Sequence, residues 1–255
     1  MSVTVAGQVL TSTRNPRVQA ARGLRRARER RAQGRHLVEG PRAVAEALAA
    51  GVVEELFVLE GAPIPDADVP VRRVAGHVLE HLADATTPQG IVAVARTVPG
   101  HLDDIGDGVI VVLDRVADPG NAGTILRTAD ALGVAAVVLT SGSVDPFAPK
   151  TVRAAVGSTY HLPVVTDVTL AEVVAHARAT QRRVVGLDAA GAEGLEALSA
   201  GAAPVCLVLG NEAHGLDPDS AALLDTTVAI ALHPRAESLN VAAAAAIAIH
   251  AATQR

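Results

Sequence analysis

Aromatic side chains make up only 1% of this 255-residue chain: no Trp, one Tyr and two Phe. The core must therefore be aliphatic, built from Ala, Val and Leu, and RNA binding by base stacking on an aromatic platform is disfavoured. One cysteine, Cys206, excludes an internal disulfide framework and a cysteine-only metal cluster. It lies in the apolar run Val205–Leu209, which reads as a buried, inert thiol rather than a nucleophile. No apolar run reaches membrane-spanning length. The start, Met-Ser-Val-Thr-Val-Ala-Gly, lacks the charged-then-apolar layout of a signal peptide. A cytoplasmic protein with no membrane partner is expected. The GxGxxG and GxxxxGK(S/T) patterns are absent, so neither the dinucleotide nor the triphosphate fingerprint applies. No His/Cys/Asp cluster has metal-ligand spacing, and no metal is expected.

What is present is 49% apolar and 19% charged, enough for one large domain or two small ones. The net charge of −5 argues against nucleic acid, but the distribution argues the other way. Arg14, Arg17, Arg22, Arg25, Arg26, Arg28, Arg30, Arg31, Arg35 and Arg42 crowd the start, opposed by only Glu29 and Glu39. Asn15-Pro16 is a helix start, with Asn as N-cap and Pro in the first turn. One helix is expected from Pro16 to Gln33, stopped by Gly34, with a thin apolar stripe of Val18, Ala21 and Leu24. The arginines are either a solvated face or an RNA contact. Guanidinium forks match phosphate geometry, which favours RNA and nominates Arg14, Arg22, Arg25, Arg26, Arg28 and Arg35.

Strand-like and helix-like segments then alternate: strands at His36–Glu39, Val53–Leu59, Val71–Val74 and Ile91–Thr97, helices from Pro41 and His77. This is the pattern of a small α/β domain with a largely parallel sheet. The stretch from Val98 breaks the pattern and reads as a linker. The expected division is 1–98 as an accessory domain, 99–107 as linker and 108–255 as a second α/β domain.

The second half opens on Val109–Leu113, a run typical of a strand buried on both faces. A helix to Leu132 and a strand at Ala135–Thr140 complete a βαβ unit. Within that helix Ile125, Ala129 and Leu132 share the core face, leaving Thr124 and Arg127 outside, beside the loop carrying Asn121. Pro149–Gly157 reads as a helix, His161–Val165 as a strand, Thr169–Gln181 as a helix and Arg183–Asp188 as a strand. Gly191–Ala203 reads as a loop, Val205–Leu209 and Val228–Leu232 as strands around a helix near Asp217–Leu224. Both of these strands end in loops of small and polar residues, Gly210-Asn211-Glu212 and His233 to Asn240, and open α/β sheets gather ligands at such carboxyl ends. Asn240 can cap an alanine-rich last helix.

Three segments now carry a resemblance: Asp118-Pro119-Gly120-Asn121-Ala122-Gly123-Thr124-Ile125-Leu126-Arg127, then Leu209-Gly210-Asn211-Glu212-Ala213-His214-Gly215-Leu216, then Ile230-Ala231-Leu232 through Ser238-Leu239-Asn240-Val241. Their order and spacing resemble the three motifs of the SpoU/TrmH family of RNA methyltransferases, in the SPOUT superfamily. Asn15-Pro16 and Leu37-Val38-Glu39-Gly40 are similar to the family's small RNA-binding accessory domain.

The resemblance implies an α/β fold whose C-terminal SPOUT domain has a mostly parallel sheet and a deep trefoil knot, an exception to the rule of unknotted chains, preceded by a small α/β RNA-binding domain. It implies S-adenosyl-L-methionine as cofactor, a homodimer through the knotted domain, and methyl transfer to a ribose 2′-hydroxyl. Ribosomal RNA is the favoured substrate, and transfer RNA the alternative. A protein of the same fold that binds RNA without transferring methyl groups is the rival reading. By residue, the resemblance implies catalytic roles for Asn121, Arg127, Glu212, Ser238 and Asn240. It implies a cofactor pocket formed by Gly210, Ile230, Leu232 and Leu239. Pro234 stands where the family often has Gly, and proline removes a backbone N–H and fixes φ. Arg127 is either the base for the hydroxyl proton or, since guanidinium pKa exceeds about 12, a group that binds phosphate or a developing alkoxide. Glu212 either holds Arg127 and Asn121 in place or is a carboxylate that satisfies loop amides.

Overall fold

Helix-starting and helix-stopping residues cut the chain into alternating strands and helices, and a computed structural model describes residues 8–200, 203–236 and 238–254 of it. These divide into two units: residues 1–98 with 147–161, and residues 99–146 with 162–255.

In the first unit Asn15 caps α1 (Pro16–Gly23) by accepting from the Arg17 amide, with Pro16 opening the helix. The single helix expected to Gln33 is broken. α2 (Ala27–Gln33) starts anew after a turn of amide bonds from Leu24, Arg25 and Arg26 to carbonyls three residues back. The break lets Leu24 turn into the core. Arg30, itself buried, donates to the Leu24 and Arg25 carbonyls at 3.0 and 2.9 Å. It thereby satisfies acceptors that an unbroken helix would have paired. Gly34, with φ of 61°, stops α2.

There follow β1 (Arg35–Glu39), α3 (Pro41–Ala49), β2 (Val53–Leu59), β3 (Val71–Val74), α4 (Gly76–Leu82) and β4 (Ile91–Arg96). The sheet order is β1-β4-β2-β3. β4 is antiparallel to both neighbours and only β2 and β3 are parallel, so the largely parallel sheet expected here is corrected to a mixed one. Alternation in the sequence does identify the β1-α3-β2 crossover. It does not reveal that a later strand fills the gap between the crossover's two ends.

In the second unit β5 (Ile110–Leu113), α5 (Pro119–Ala131) and β6 (Ala136–Thr140) form the expected βαβ unit. The chain then gives residues 147–161, including α6 (Pro149–Ala155), to the first unit. Val152 is buried in that unit's core beside Val38, Ala43 and Val44, and Tyr160 Oη lies 2.9 Å from His36 Nε2. All three aromatic residues, Phe57, Phe147 and Tyr160, lie in the first unit. Residues 99–107 are not a free linker either. Gly100 bridges Val165, Leu102–Asp104 form a 3₁₀ turn, and Ile105 is buried in the second unit's core.

The rest is β7 (Val164–Val168), α7 (Leu170–Ala179), β8 (Arg183–Leu187), β9 (Glu193–Gly194), β10 (Val205–Leu209), α8 (Pro218–Ala221), β11 (Thr226–Ala229) and α9 (Val241–Thr253). β7 starts three residues later than the expected His161, because His161 still belongs to the first unit. Residues 191–203, expected as plain loop, hold β9 and a 3₁₀ turn at Leu195–Leu198; 201 and 202 are outside the described residues. The seven strands run in the order β7-β6-β5-β10-β8-β11-β9, and every pairing is parallel. β5, β6 and β10 are buried along their whole length, as strands covered on both faces must be.

Candidate active site

At the carboxyl end of β5 the buried Asp114 accepts from Thr140 Oγ1 at 2.8 Å and Ser220 Oγ at 2.7 Å. Arg115 follows in the left-handed region, φ 57°, an uncommon conformation for a side chain of its size. Its guanidinium is clamped by Asp217, Asp114 and Ser220. The Asp217 carboxyl is pulled down to about 2, chiefly by its bond from Arg115. The clamp leaves the Arg115 carbonyl to accept from Asn211 Nδ2 at 2.8 Å. Nothing in the sequence marks Arg115, because a non-glycine residue at positive φ carries no local signal.

Asp118 caps α5 by accepting from the Asn121 amide at 2.9 Å, with Pro119 in the first turn. Asn121 therefore sits inside the helix's first turn, not in the preceding loop as expected. Its side chain reaches sideways and donates to Glu212 Oε1 at 3.1 Å. Glu212 also accepts from the amides of Ala117 (3.0 Å) and Asp118 (3.0 Å). Burial pushes its carboxyl up, but these amide bonds and Asn121 outweigh burial and hold it below the ordinary value of 4.5. An ionised carboxylate so engaged is an anchor, not a proton acceptor for a hydroxyl.

Asn240 caps α9 by accepting from Ala242 and Ala243, and its Nδ2 donates to Asn121 Oδ1 at 3.0 Å. One chain of hydrogen bonds thus joins Asn240, Asn121 and Glu212, residues 119 and 91 positions apart in sequence.

Arg127 is exposed on α5, and no hydrogen bond or ion pair to it is found among the described residues. The expectation that Glu212 holds both Asn121 and Arg127 is met for Asn121 alone.

Beside this chain of bonds, at the ends of β8, β10 and β11, opens a cleft of about 400 Å³. Gly210, Ile230, Leu232 and Leu239 all line it, with Glu212 and Ser238. The apolar run predicts that Ile230–Leu232 continue the last strand. β11 instead stops at Ala229, because its partners end there, β8 at Leu187 opposite Val228 and β9 at Gly194 opposite Ala229, and Ile230 and Leu232 line the cleft. Gly210 is required by the fold itself. A Cβ there would lie 2.3 Å from the Gly215 carbonyl carbon, across the turn closed by mutual Asn211–Gly215 amide bonds. Pro234 is the second residue of a turn closed by Ala236 N–H to His233 O at 2.8 Å, where a fixed φ is favourable and no N–H is needed. The cleft has the size of a small-molecule site. Its walls are aliphatic, with a few amide and carboxylate groups among them.

The RNA-binding candidates separate into two groups. Arg14, Arg26 and Arg28 are exposed without a side-chain partner among the described residues. Arg25 pairs with Asp84 at 3.0 Å, Arg35 with Glu54 at 2.7 Å, and Arg22 lies 2.9 Å from His81 Nε2. The His81 pKa is lowered, first by burial, then by Arg22 and Arg25.

Residues 108–250 match the model of the SpoU rRNA Methylase family, and residues 15–93 that of the MRM3-like substrate binding domain. The chain belongs to the SpoU rRNA methylase family. It is 33% identical over 245 residues to the 23S rRNA (guanosine(2553)-2′-O)-methyltransferase RlmP of Bacillus subtilis strain 168, covering 94% of this chain and 97% of that one. Among solved structures, the SpoU methyltransferase AviRb of Streptomyces viridochromogenes in complex with AdoMet matches with a TM-score of 0.84 and 30% identity, over 94% of this chain and 98% of that one. The AdoMet-bound rRNA methyltransferase of Sinorhizobium meliloti matches with a TM-score of 0.86 and 31% identity, over 97% of both chains. The α/β fold and the largely parallel seven-stranded sheet are those of SpoU methyltransferases.

Proposed function

We propose that this chain methylates a ribose 2′-hydroxyl of 23S ribosomal RNA, with S-adenosylmethionine bound in the cleft at the ends of β8, β10 and β11. The observation that carries the proposal is the bonded set Asn240–Asn121–Glu212 standing beside a cleft lined by Gly210, Ile230, Leu232 and Leu239. When bound, the cofactor supplies an electrophilic methyl on a sulfonium. The chain's own task is then to place an oxygen in line with that carbon, and positioning alone removes much of such a barrier.

Each residue has a role in this reading. Glu212 fixes the loop before α5 and turns the Asn121 amide. Asn240 holds the last loop against it, and Ser238 faces the cleft. Arg127, permanently charged, stabilises the developing alkoxide or grips the adjacent phosphate. The C-terminal segment threads a loop as a trefoil knot. Arg127 faces solvent, and α9 leaves Ile247 41% exposed on an alanine-rich surface. Both features fit a homodimer in which the second copy completes the site. No described helix is long and apolar enough to cross a membrane, which fits work on ribosomal RNA in the cytoplasm.

Titration calorimetry with S-adenosylmethionine, followed by transfer of labelled methyl to protein-free 23S rRNA, tests the proposal. Saturable cofactor binding with label on a ribose supports it. A chain that binds the RNA but takes up no cofactor is the RNA-binding protein of the rival reading.

A further inference from the structure

The first unit carries a second cleft, of about 340 Å³, that the reaction just described does not use. It lies between the start of α3, the turn after α4 and the end of α6. Its floor is aliphatic, with Ala43, Ala83, Ile91, Val92 and Val156 among the lining residues. Its polar groups are of a particular kind.

Glu39, buried at the foot of the cleft, accepts from the amides of Asp84 (2.6 Å) and Ala85 (3.0 Å), which pins the turn that forms one wall. Asp84 is held in turn by Arg25 at 3.0 Å and Arg153 at 3.2 Å. The opposite wall begins at Gly40, whose φ of 89° and ψ of 151° only glycine adopts readily. A Cβ on Gly40 would lie 2.8 Å from Gln89 Oε1, so the missing side chain is what lets the Gln89 amide lie over the start of α3. Arg42, in the first turn of α3, is exposed and has no side-chain partner among the described residues.

We infer that this cleft receives one unstacked nucleotide of the RNA. The base lies on the aliphatic floor with its edge on the Gln89 amide, and Arg42 takes the neighbouring phosphate. The inference rests on the proposed RNA substrate and names a recognition site for it. Sequence-specific RNA binding reads splayed-out bases by their edges, with arginine planes or phosphate contacts beside them. A terminal amide offers both a donor and an acceptor to such an edge. This chain has no aromatic residue to stack a base among the lining groups, so an aliphatic slot with an amide rim is the alternative the composition leaves open. The walls are pre-set by Glu39 and Gly40, so binding does not have to order them.

Filter binding of protein-free 23S rRNA across a salt series, together with methyl-transfer kinetics on the same RNA, tests this. Gln89→Ala should weaken RNA affinity and raise KM for RNA about tenfold, the scale of one good base-edge hydrogen-bond pair. The slope of log K against log salt, kcat and cofactor affinity should all be unchanged. Arg42→Gln should weaken affinity and also reduce the salt slope by about one, as expected when a single phosphate is no longer neutralised. Thr87→Trp, at the exposed mouth, should block the slot and reproduce the KM effect. Circular dichroism and Tm confirm that each variant is folded. RNA affinity and KM unchanged in all three folded variants would overturn the inference. Failure of the wild-type chain to bind or methylate the RNA would instead overturn the proposed function.

Discussion

Arg127 has no structural duty that its removal would disturb. Arg127→Ala should therefore leave Tm and cofactor affinity unchanged while lowering kcat on 23S rRNA by about 10²–10³, the scale of removing one electrostatic stabiliser. Near-normal kcat in single-turnover assays would remove it from the reaction. Glu212 is different, because it ties the loop before α5. Its folded pKa lies below 4.5, so its stabilising contribution is complete above the unfolded value and fades as pH falls through the folded one. The Tm gap between wild type and Glu212→Gln should be constant above about pH 5 and close towards acid. A gap that instead widens in acid would show the carboxyl to be raised, not lowered. Arg115 permits a third test. Arg115→Ala removes the clamp and keeps a side chain at positive φ, whereas Arg115→Gly removes the clamp without that strain. Gly should be the more stable variant by about 1 kcal/mol, readable by denaturant titration. The reverse order would mean that the left-handed conformation is not required there.

At the scale of elements, the arginine-rich start divides into exposed arginines proposed to contact RNA and a buried one, Arg30, that holds the helix break. Neutralising Arg14, Arg26 and Arg28 together should flatten the salt dependence of RNA binding by about 0.7–0.9 for each phosphate no longer neutralised, without changing Tm. An unchanged slope would mean these residues only face solvent. Arg30→Ala should instead destabilise by about 1–3 kcal/mol, because the Leu24 and Arg25 carbonyls are left without their donor. Asn15-Pro16 is a local signal, so the start of this helix is legible in the sequence. The break at Leu24–Arg26 is not, because the donor that stabilises it is a side chain six residues ahead of Leu24. β11 presents the same lesson. Apolarity continues through Leu232, but pairing ends with Ala229 opposite Gly194 of β9, one residue past the last β8 pair, and that length is a property of the partner strands.

For the molecule as a whole, the motif residues Asn121, Glu212 and Asn240 are legible as a set from the sequence, and the fold bonds them to one another. The two domains are legible only in outline. Residues 147–161 carry ordinary helix signals, and nothing local says that Val152 and Tyr160 pack into the unit built by the start of the chain. The roles of Arg115, Gln89 and Arg153 are hidden for similar reasons. They depend on a positive φ, a glycine across a turn and a helix returned to the other unit. The proposed function, in turn, rests on the cleft at the ends of β8, β10 and β11 presenting one ribose to a methyl donor. The direct measurement is to incubate the purified chain with labelled S-adenosylmethionine and protein-free 23S rRNA, then digest the RNA with alkali. Label confined to one alkali-resistant dinucleotide, and incorporated about 10²–10³ times more slowly by Arg127→Ala, is the predicted result. Label on a base, or no incorporation by a chain that binds both cofactor and RNA, would contradict it.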